Sequence, residues 1–211
     1  MVEHHERGIP VTSVEELETI VGRPEPRVAN KSRSRLHDVD RAWLAAAPLA
    51  FVATSDEQGA LDVSPKGDPT GFAVVLDDTT IAIPERPGNR RADGFRNILR
   101  NPHVGLVFVI PGRGDTLRIN GRATIVRDAA FMAEMVVRGH RPALAIVVDI
   151  DEVFFHCSKA FLRSKAWQPE TWTPDAAPRR AVIAKAVERQ GDPLELLDEY
   201  YGPSYAQRVY D

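Results

Sequence analysis

Between residues 49 and 126 the chain reads as three hairpins in succession, and that order decides most of the fold. Leu49–Thr54 and Leu61–Ser64 flank Ser55-Asp56-Glu57-Gln58-Gly59; Phe72–Leu76 and Thr80–Ile83 flank Asp77-Asp78; Val104–Ile110 and Thr116–Val126 flank Pro111-Gly112-Arg113-Gly114-Asp115. Each pair joins β-branched and apolar runs through turn residues. Ala143–Phe155 supplies a last long strand, with a bend expected at Asp149–Asp151. Helices are expected only as inserts, at Arg90–Leu99 and Ala129–Arg138. Consecutive hairpins exclude alternating βαβ units and predict an antiparallel barrel, whose closure would remove exposed edges.

The flanks differ in texture. Ser13, with Glu16 three residues on, is a capping-box pattern ahead of a helix carrying Leu17, Ile20 and Val21 on one face. Pro24 and Pro26 interrupt, and a second helix is expected over Asp38–Ala47 with Val39, Trp43 and Ala46 aligned. After Ser158, prolines punctuate a stretch holding Trp167 and Trp172, and short helices are expected over Arg179–Gln190 and Pro193–Tyr200. The organisation read from this is a helical extension over 1–47 packed on the barrel, a barrel domain over 48–168, and a C-terminal Pro/Trp segment with short helices over 169–211.

With 211 residues, a chain can bury about 70% of its unfolded surface and needs no staples. One cysteine, Cys157, allows no disulfide framework and points to a reducing compartment. The N-terminus lacks the apolar stretch of a signal peptide, and no apolar run approaches the ~20 residues of a membrane helix. A net charge of −3 gives no reason to expect nucleic acid or an anionic membrane as partner. A soluble, cytoplasmic protein is expected.

Four segments could carry chemistry. Ser64-Pro65-Lys66-Gly67-Asp68 offers a hydroxyl, an ammonium and a glycine-relaxed backbone, an anion cradle or else an exposed turn. Asn89-Arg90-Arg91 stands where a helix should start, with Asn89 as N-cap. Two arginines in a first turn oppose the helix dipole unless an anion binds there; the other reading is a basic surface. On Leu117–Ala123, strand alternation puts Arg118, Asn120 and Arg122 on one face, a site wall or a barrel exterior. Lys159 and Arg163, four apart, share a helical face and either meet an anion or stay solvated. No Gly-x-Ser-x-Gly, P-loop or Gly-x-Gly-x-x-Gly fingerprint is present, and adjacent His156 and Cys157 make poor chelators, so no metal site is expected.

In order and spacing these segments resemble the pyridoxamine 5'-phosphate oxidase-like, FMN-binding split-barrel superfamily, and more narrowly a bacterial subgroup of FMN-dependent oxidoreductases. The likeness is carried by Ser64-Pro65-Lys66-Gly67-Asp68, Ile83-Pro84 through Gly88-Asn89-Arg90-Arg91, Asn97-Ile98-Leu99-x-Asn101-Pro102, Thr116-Leu117-Arg118-x-Asn120-Gly121-Arg122-Ala123 and Phe155-His156-Cys157-x-Lys159-Ala160. It implies a mainly β chain with peripheral helices, a split barrel, and a homodimer with FMN at the subunit interface. It also implies redox chemistry on a small molecule. By the resemblance, Val63, Ser64, Pro65 and Lys66 run along the flavin and its ribityl chain, and Asn89, Arg90 and Arg91 hold its phosphate. Arg118 and Asn120 serve their own site or the neighbour's, and Lys159 and Arg163 face the flavin pocket. The Arg-x-His substrate segment of true pyridoxamine 5'-phosphate oxidases is missing, which counts against vitamin B6 as substrate. No general acid or base stands out. Flavin or haem binding without turnover, and a deazaflavin-dependent reductase, are the rival expectations.

Overall fold

The computed structural model describes residues 8–210. They fall into two units, one ending at Ser32 and one starting at Arg33. In the first, α1 (Val14–Val21) is capped as expected: the Ser13 hydroxyl accepts from the Glu16 backbone N–H at 3.1 Å. A single turn, α2 (Pro26–Ala29), follows the prolines.

The second unit is built on one antiparallel sheet. It is led by α3 (Asp38–Ala46), then β1 (Leu49–Ser55), β2 (Leu61–Gly67), β3 (Val74–Val75) and β4 (Thr80–Pro84). After α4 (Asp93–Arg100) come β5 (His103–Val109), β6 (Thr116–Val126) and β7 (Ala145–His156). The chain closes with α5 (Lys159–Ser164), α6 (Arg180–Val187) and α7 (Leu194–Tyr200). Strand order is β2-β1-β5-β6-β7-β4-β3, so the two edges are β2 and β3 and the sheet does not close on itself. This is the antiparallel split barrel with peripheral helices expected from the hairpin order and the resemblance, but without the closure that would have removed its edges.

Alternation along the central strands builds the core. Leu106 and Phe108 of β5, Leu117 and Ile119 of β6, Val148 and Val153 of β7 and Ile81 and Ile83 of β4 are all buried. The expected bend in the last strand is a β-bulge: Asn120 pairs with Glu152 and Gly121 with Ile150, leaving Asp151 out of register. Gly121 is required there, because a Cβ at that position would lie 2.1 Å from the Asp149 carbonyl oxygen.

Several expectations are corrected. β2 runs through Pro65, Lys66 and Gly67, so the serine–lysine segment is strand, not a turn after one. Proline is tolerated because β2 is an edge strand. The helix expected from Arg90 starts at Asp93, and Ala129–Arg138 forms only a 3-10 turn at Ala130–Ala133. Helix α3 turns a different face inward from the one expected: Asp40, Trp43 and Leu44 are buried while Val39 is 63% exposed. Asp40 can be buried because Arg33 donates to both its oxygens at 2.5 and 2.9 Å and the His37 backbone N–H donates at 2.7 Å. Among the described residues no helix is long and apolar enough to cross a membrane.

Candidate functional site

The sheet curls until the end of β2 meets the end of β4, and the seam between them is charged. Lys66 on β2 pairs with Glu85, and Asp68 pairs with Arg86 at 2.5 Å with the Asp68 side chain only 1% exposed. Arg86 also donates to the carbonyls of Met135 and His140. The stretch after β4 is thereby tied to two other segments of chain.

Behind this seam lies a cavity of about 180 Å³. Register explains its inner wall. Val52 faces Ser64, Thr54 faces Asp62 and Ala50 faces Lys66, so every second residue of β2 points inward with the buried residues of β1. Helix α4 forms the opposite wall and approaches closely at Gly94, where a Cβ would stand 3.2 Å from an Asp62 carboxylate oxygen. Asn97 donates to the Thr54 hydroxyl at 3.1 Å and fixes the helix to β1. Lys66 lies over the Phe95 ring, 5.2 Å from its centroid.

The rim is the loop between β4 and α4. Asn89 accepts from the Arg91 N–H at 3.0 Å, and φ is 60° at Arg90, negative at Arg91 and 54° at Ala92. Left-handed backbone at two residues with side chains costs about 1–2 kcal/mol each. Such alternation of hand is also how backbone N–H groups are gathered into anion-binding nests. The two arginines expected in a first helical turn do not oppose the helix dipole, since Asp93 occupies the first turn of α4 and both precede it. Arg91 pairs instead with Asp93, which raises its pKa, chiefly through that hydrogen bond. The Arg91 side chain is 78% exposed, so this partner is weakly held and replaceable by an incoming anion. Asp62, Glu85 and Asp93 against Lys66 and Arg91 leave the lining net negative by one charge, so an anion would depend on the loop N–H groups and on that exchange.

Of the residues singled out from sequence, Ser64, Lys66, Asn89 and Arg91 line this cavity together. Pro65 lines an adjoining one of about 260 Å³ that shares Lys66 and Asn89. Arg90 turns to a third, about 490 Å³, with Arg86, His140, Arg141 and Tyr210. Val63 points the other way, to the outer face of the sheet. There the register aligns Val63, Ala53, Gly105, Asn120 and Glu152 in one row and Pro65, Phe51, Val107, Arg118 and Phe154 in the next. Arg118 stacks on Phe154 at 5.1 Å, and its buried Nε finds no acceptor among the described residues. Asn120 donates to Glu152 at 2.6 Å. Lys159 and Arg163 are exposed on α5, and neither lines these cavities.

Thr54, Asp62, Gly94 and Phe95 line the cavity without having been singled out. Asp62 was available by counting back two from Ser64 on the same strand face. The rest depend on where α4 lands, which no local pattern specifies.

A family model described as Pyridoxamine 5'-phosphate oxidase matches residues 36–157. Among solved structures the chain is similar to HupZ of Group A Streptococcus, at 22% identity over 57% of this chain and 93% of that one, TM-score 0.46. It is similar to a protein related to general stress protein 26 (pyridoxinephosphate oxidase family) from Clostridium acetobutylicum, at 14% identity over 55% and 83%, TM-score 0.41. It is also similar to HutZ, the haem storage protein of Vibrio cholerae, at 17% identity over 58% and 94%, TM-score 0.40. No curated protein matches the sequence significantly.

Proposed function

Because this chain belongs to the pyridoxamine 5'-phosphate oxidase family, we propose that it binds FMN in the cavity behind the seam and uses it in an oxidation or reduction of a small molecule. The observation that carries this reading is the convergence of Ser64, Lys66, Asn89 and Arg91 on one cavity at the split, rimmed by a loop of alternating hand.

In this reading the Ser64 hydroxyl and Lys66 ammonium donate to the phosphate and its attached chain. Arg91 leaves Asp93 for the phosphate, and the strained loop supplies backbone N–H groups already aimed. Arg90, across the loop, adds charge at longer range. Bound flavin would supply the electron and hydride chemistry, and the protein would orient it and exclude water. Among the described residues, none that lines this cavity is a His, Cys, Met or Tyr, the side chains that ligate haem iron, which favours flavin over haem here.

At about 180 Å³ the cavity is below the ~300–1,000 Å³ of a complete small-molecule site. A second subunit is the natural source of the missing wall. We assign the outer face to that contact: it is apolar where β1 and β2 meet, with Phe51 39%, Val63 61% and Leu61 78% exposed. Arg118 and Asn120 sit on it, and in a homodimer they serve the neighbour's site, as do Lys159 and Arg163.

Titration of the full-length protein with FMN, followed by quenching of flavin fluorescence, tests the reading. One FMN per chain is expected, with Ser64, Lys66 and Arg91 variants weakened. Absence of uptake, or affinity unmoved by Arg91→Ala and Lys66→Ala together, would remove FMN from this cavity.

A further inference from the structure

The C-terminal segment lies outside the family match, which ends at residue 157, yet it returns to the rim of the site. Its end is anchored by Tyr210. The phenol donates to the second oxygen of Asp68 at 2.5 Å, and the ring stacks on His140 at 5.6 Å and 21°. The guanidinium groups of Arg86 and Arg138 stand 5.6 and 5.7 Å from that ring. The last turn of chain is therefore fixed to the same Asp68–Arg86 pair that closes the barrel's seam.

Between that anchored end and the loop lies a compartment of about 560 Å³. One wall is Pro87, Gly88 and Asn89; the other is Tyr200, Tyr205 and Arg208. Among the described residues no acidic side chain lines it. Arg86 is already neutralised by Asp68, but Arg208 has no carboxylate partner among the described residues. Its guanidinium lies over the rings of Tyr200 at 5.0 Å and Tyr205 at 5.8 Å and donates to the Tyr200 carbonyl at 3.0 Å. A guanidinium so placed keeps N–H groups for a carboxylate, which its planar fork can meet bidentately. Two tyrosines and Pro87 also line it, side chains whose apolar surface suits a planar ring. The volume falls within the ~300–1,000 Å³ of small-molecule sites.

We propose that this compartment, built by the C-terminal segment, binds a planar aromatic carboxylate through Arg208, Asn89 and the two tyrosines. Because Asn89 and its loop also rim the neighbouring cavity, a molecule held here is placed as the substrate. That last step rests on the cofactor reading, whereas the binding itself does not.

The test is calorimetric titration of the full-length protein with benzoate, before and after addition of FMN, against benzamide as a neutral ring of the same shape. Saturable binding of one benzoate per chain is expected, with benzamide weaker by about tenfold or more, the cost of losing a charge-assisted contact. Arg208→Gln should lower benzoate affinity by a similar factor, and Arg208→Lys should recover part of it. Tyr205→Leu should weaken benzoate and benzamide alike. Equal affinity for the two probes, no benzoate binding, or an Arg208→Gln variant with unchanged affinity would overturn the proposal. Benzoate binding without FMN uptake would sink the cofactor reading and leave the compartment standing; FMN uptake without benzoate binding would do the reverse.

Discussion

The sheet has two halves that sort their side chains by different rules. On β5, β6 and β7, away from the split, Leu106, Phe108, Leu117, Ile119, Val148 and Val153 are buried, and Arg118, Asn120 and Arg122 face outward. That is the ordinary outcome of the hydrophobic effect on an antiparallel sheet with one buried face. On β2 the order is inverted: Asp62, Ser64 and Lys66 point inward, while Leu61 and Val63 are 78% and 61% exposed. Both departures cost stability in a lone chain, since polar groups lose water and apolar groups keep it. An edge strand so arranged makes sense if its inner face is completed by a polar ligand and its outer face by a second subunit. Departures from local rules concentrate where a chain meets something else.

The largest effect should come from breaking the outer face. Phe51→Asp combined with Val63→Asp removes two apolar anchors, each worth about 1.5 kcal/mol or more when covered, so self-association should weaken by more than about a hundredfold. Sedimentation of the two proteins reads this directly, and a variant that sediments like the parent would take the outer face out of the contact.

Next comes a control far from the inversion. Asp40→Asn leaves Arg33 beside an uncharged partner and should cost about 2–3 kcal/mol in denaturant unfolding, with FMN affinity unaltered. Burial acts to raise the Asp40 pKa, but the hydrogen bonds from Arg33 and the His37 N–H, with their charges, outweigh it and the net shift is downward. A depressed folded pKa stabilises above the unfolded value of about 4 and loses that contribution as pH falls through the folded value. The gap between parent and Asp40→Asn should thus be flat near neutrality and narrow below about pH 4. A gap that widened in acid would reverse the sign assigned here.

Sharpening the inner face gives smaller changes. Lys66→Ala removes a cation and strands Glu85 in the cavity, so FMN affinity should fall by more than about tenfold; Arg91→Ala, at the exposed rim, should cost about tenfold. Equal losses would mean that the rim holds the anion as firmly as the strand, and a larger one at Arg91 that the rim holds it more firmly. Smallest is Tyr210→Phe, which keeps the ring but deletes the hydrogen bond to Asp68 and should cost about 1 kcal/mol. The same bond, with burial and the nearby carboxylate charge, raises the Tyr210 pKa, so it should persist through neutral pH.

The split half is also where sequence reading stopped being sufficient. Three hairpins in order define the strand pairings of β1 with β2, β3 with β4 and β5 with β6, and the bend at Asp149–Asp151 is a bulge. Alternation alone put Arg118, Asn120 and Arg122 on one face. Helix starts fared worse, because the two left-handed residues at Arg90 and Ala92 depend on the surrounding loop and not on local propensity. Contacts such as Gly94 against Asp62, or Tyr210 on Asp68, join residues far apart in the chain and leave no periodic trace.

The measurement that bears most directly on this account is the visible absorption spectrum of the purified full-length protein, with mass spectrometry of whatever heat releases. Two flavin bands and released FMN, or their appearance after FMN is added, are expected. A Soret band with released haem, or a colourless protein that takes up no added FMN, would contradict it.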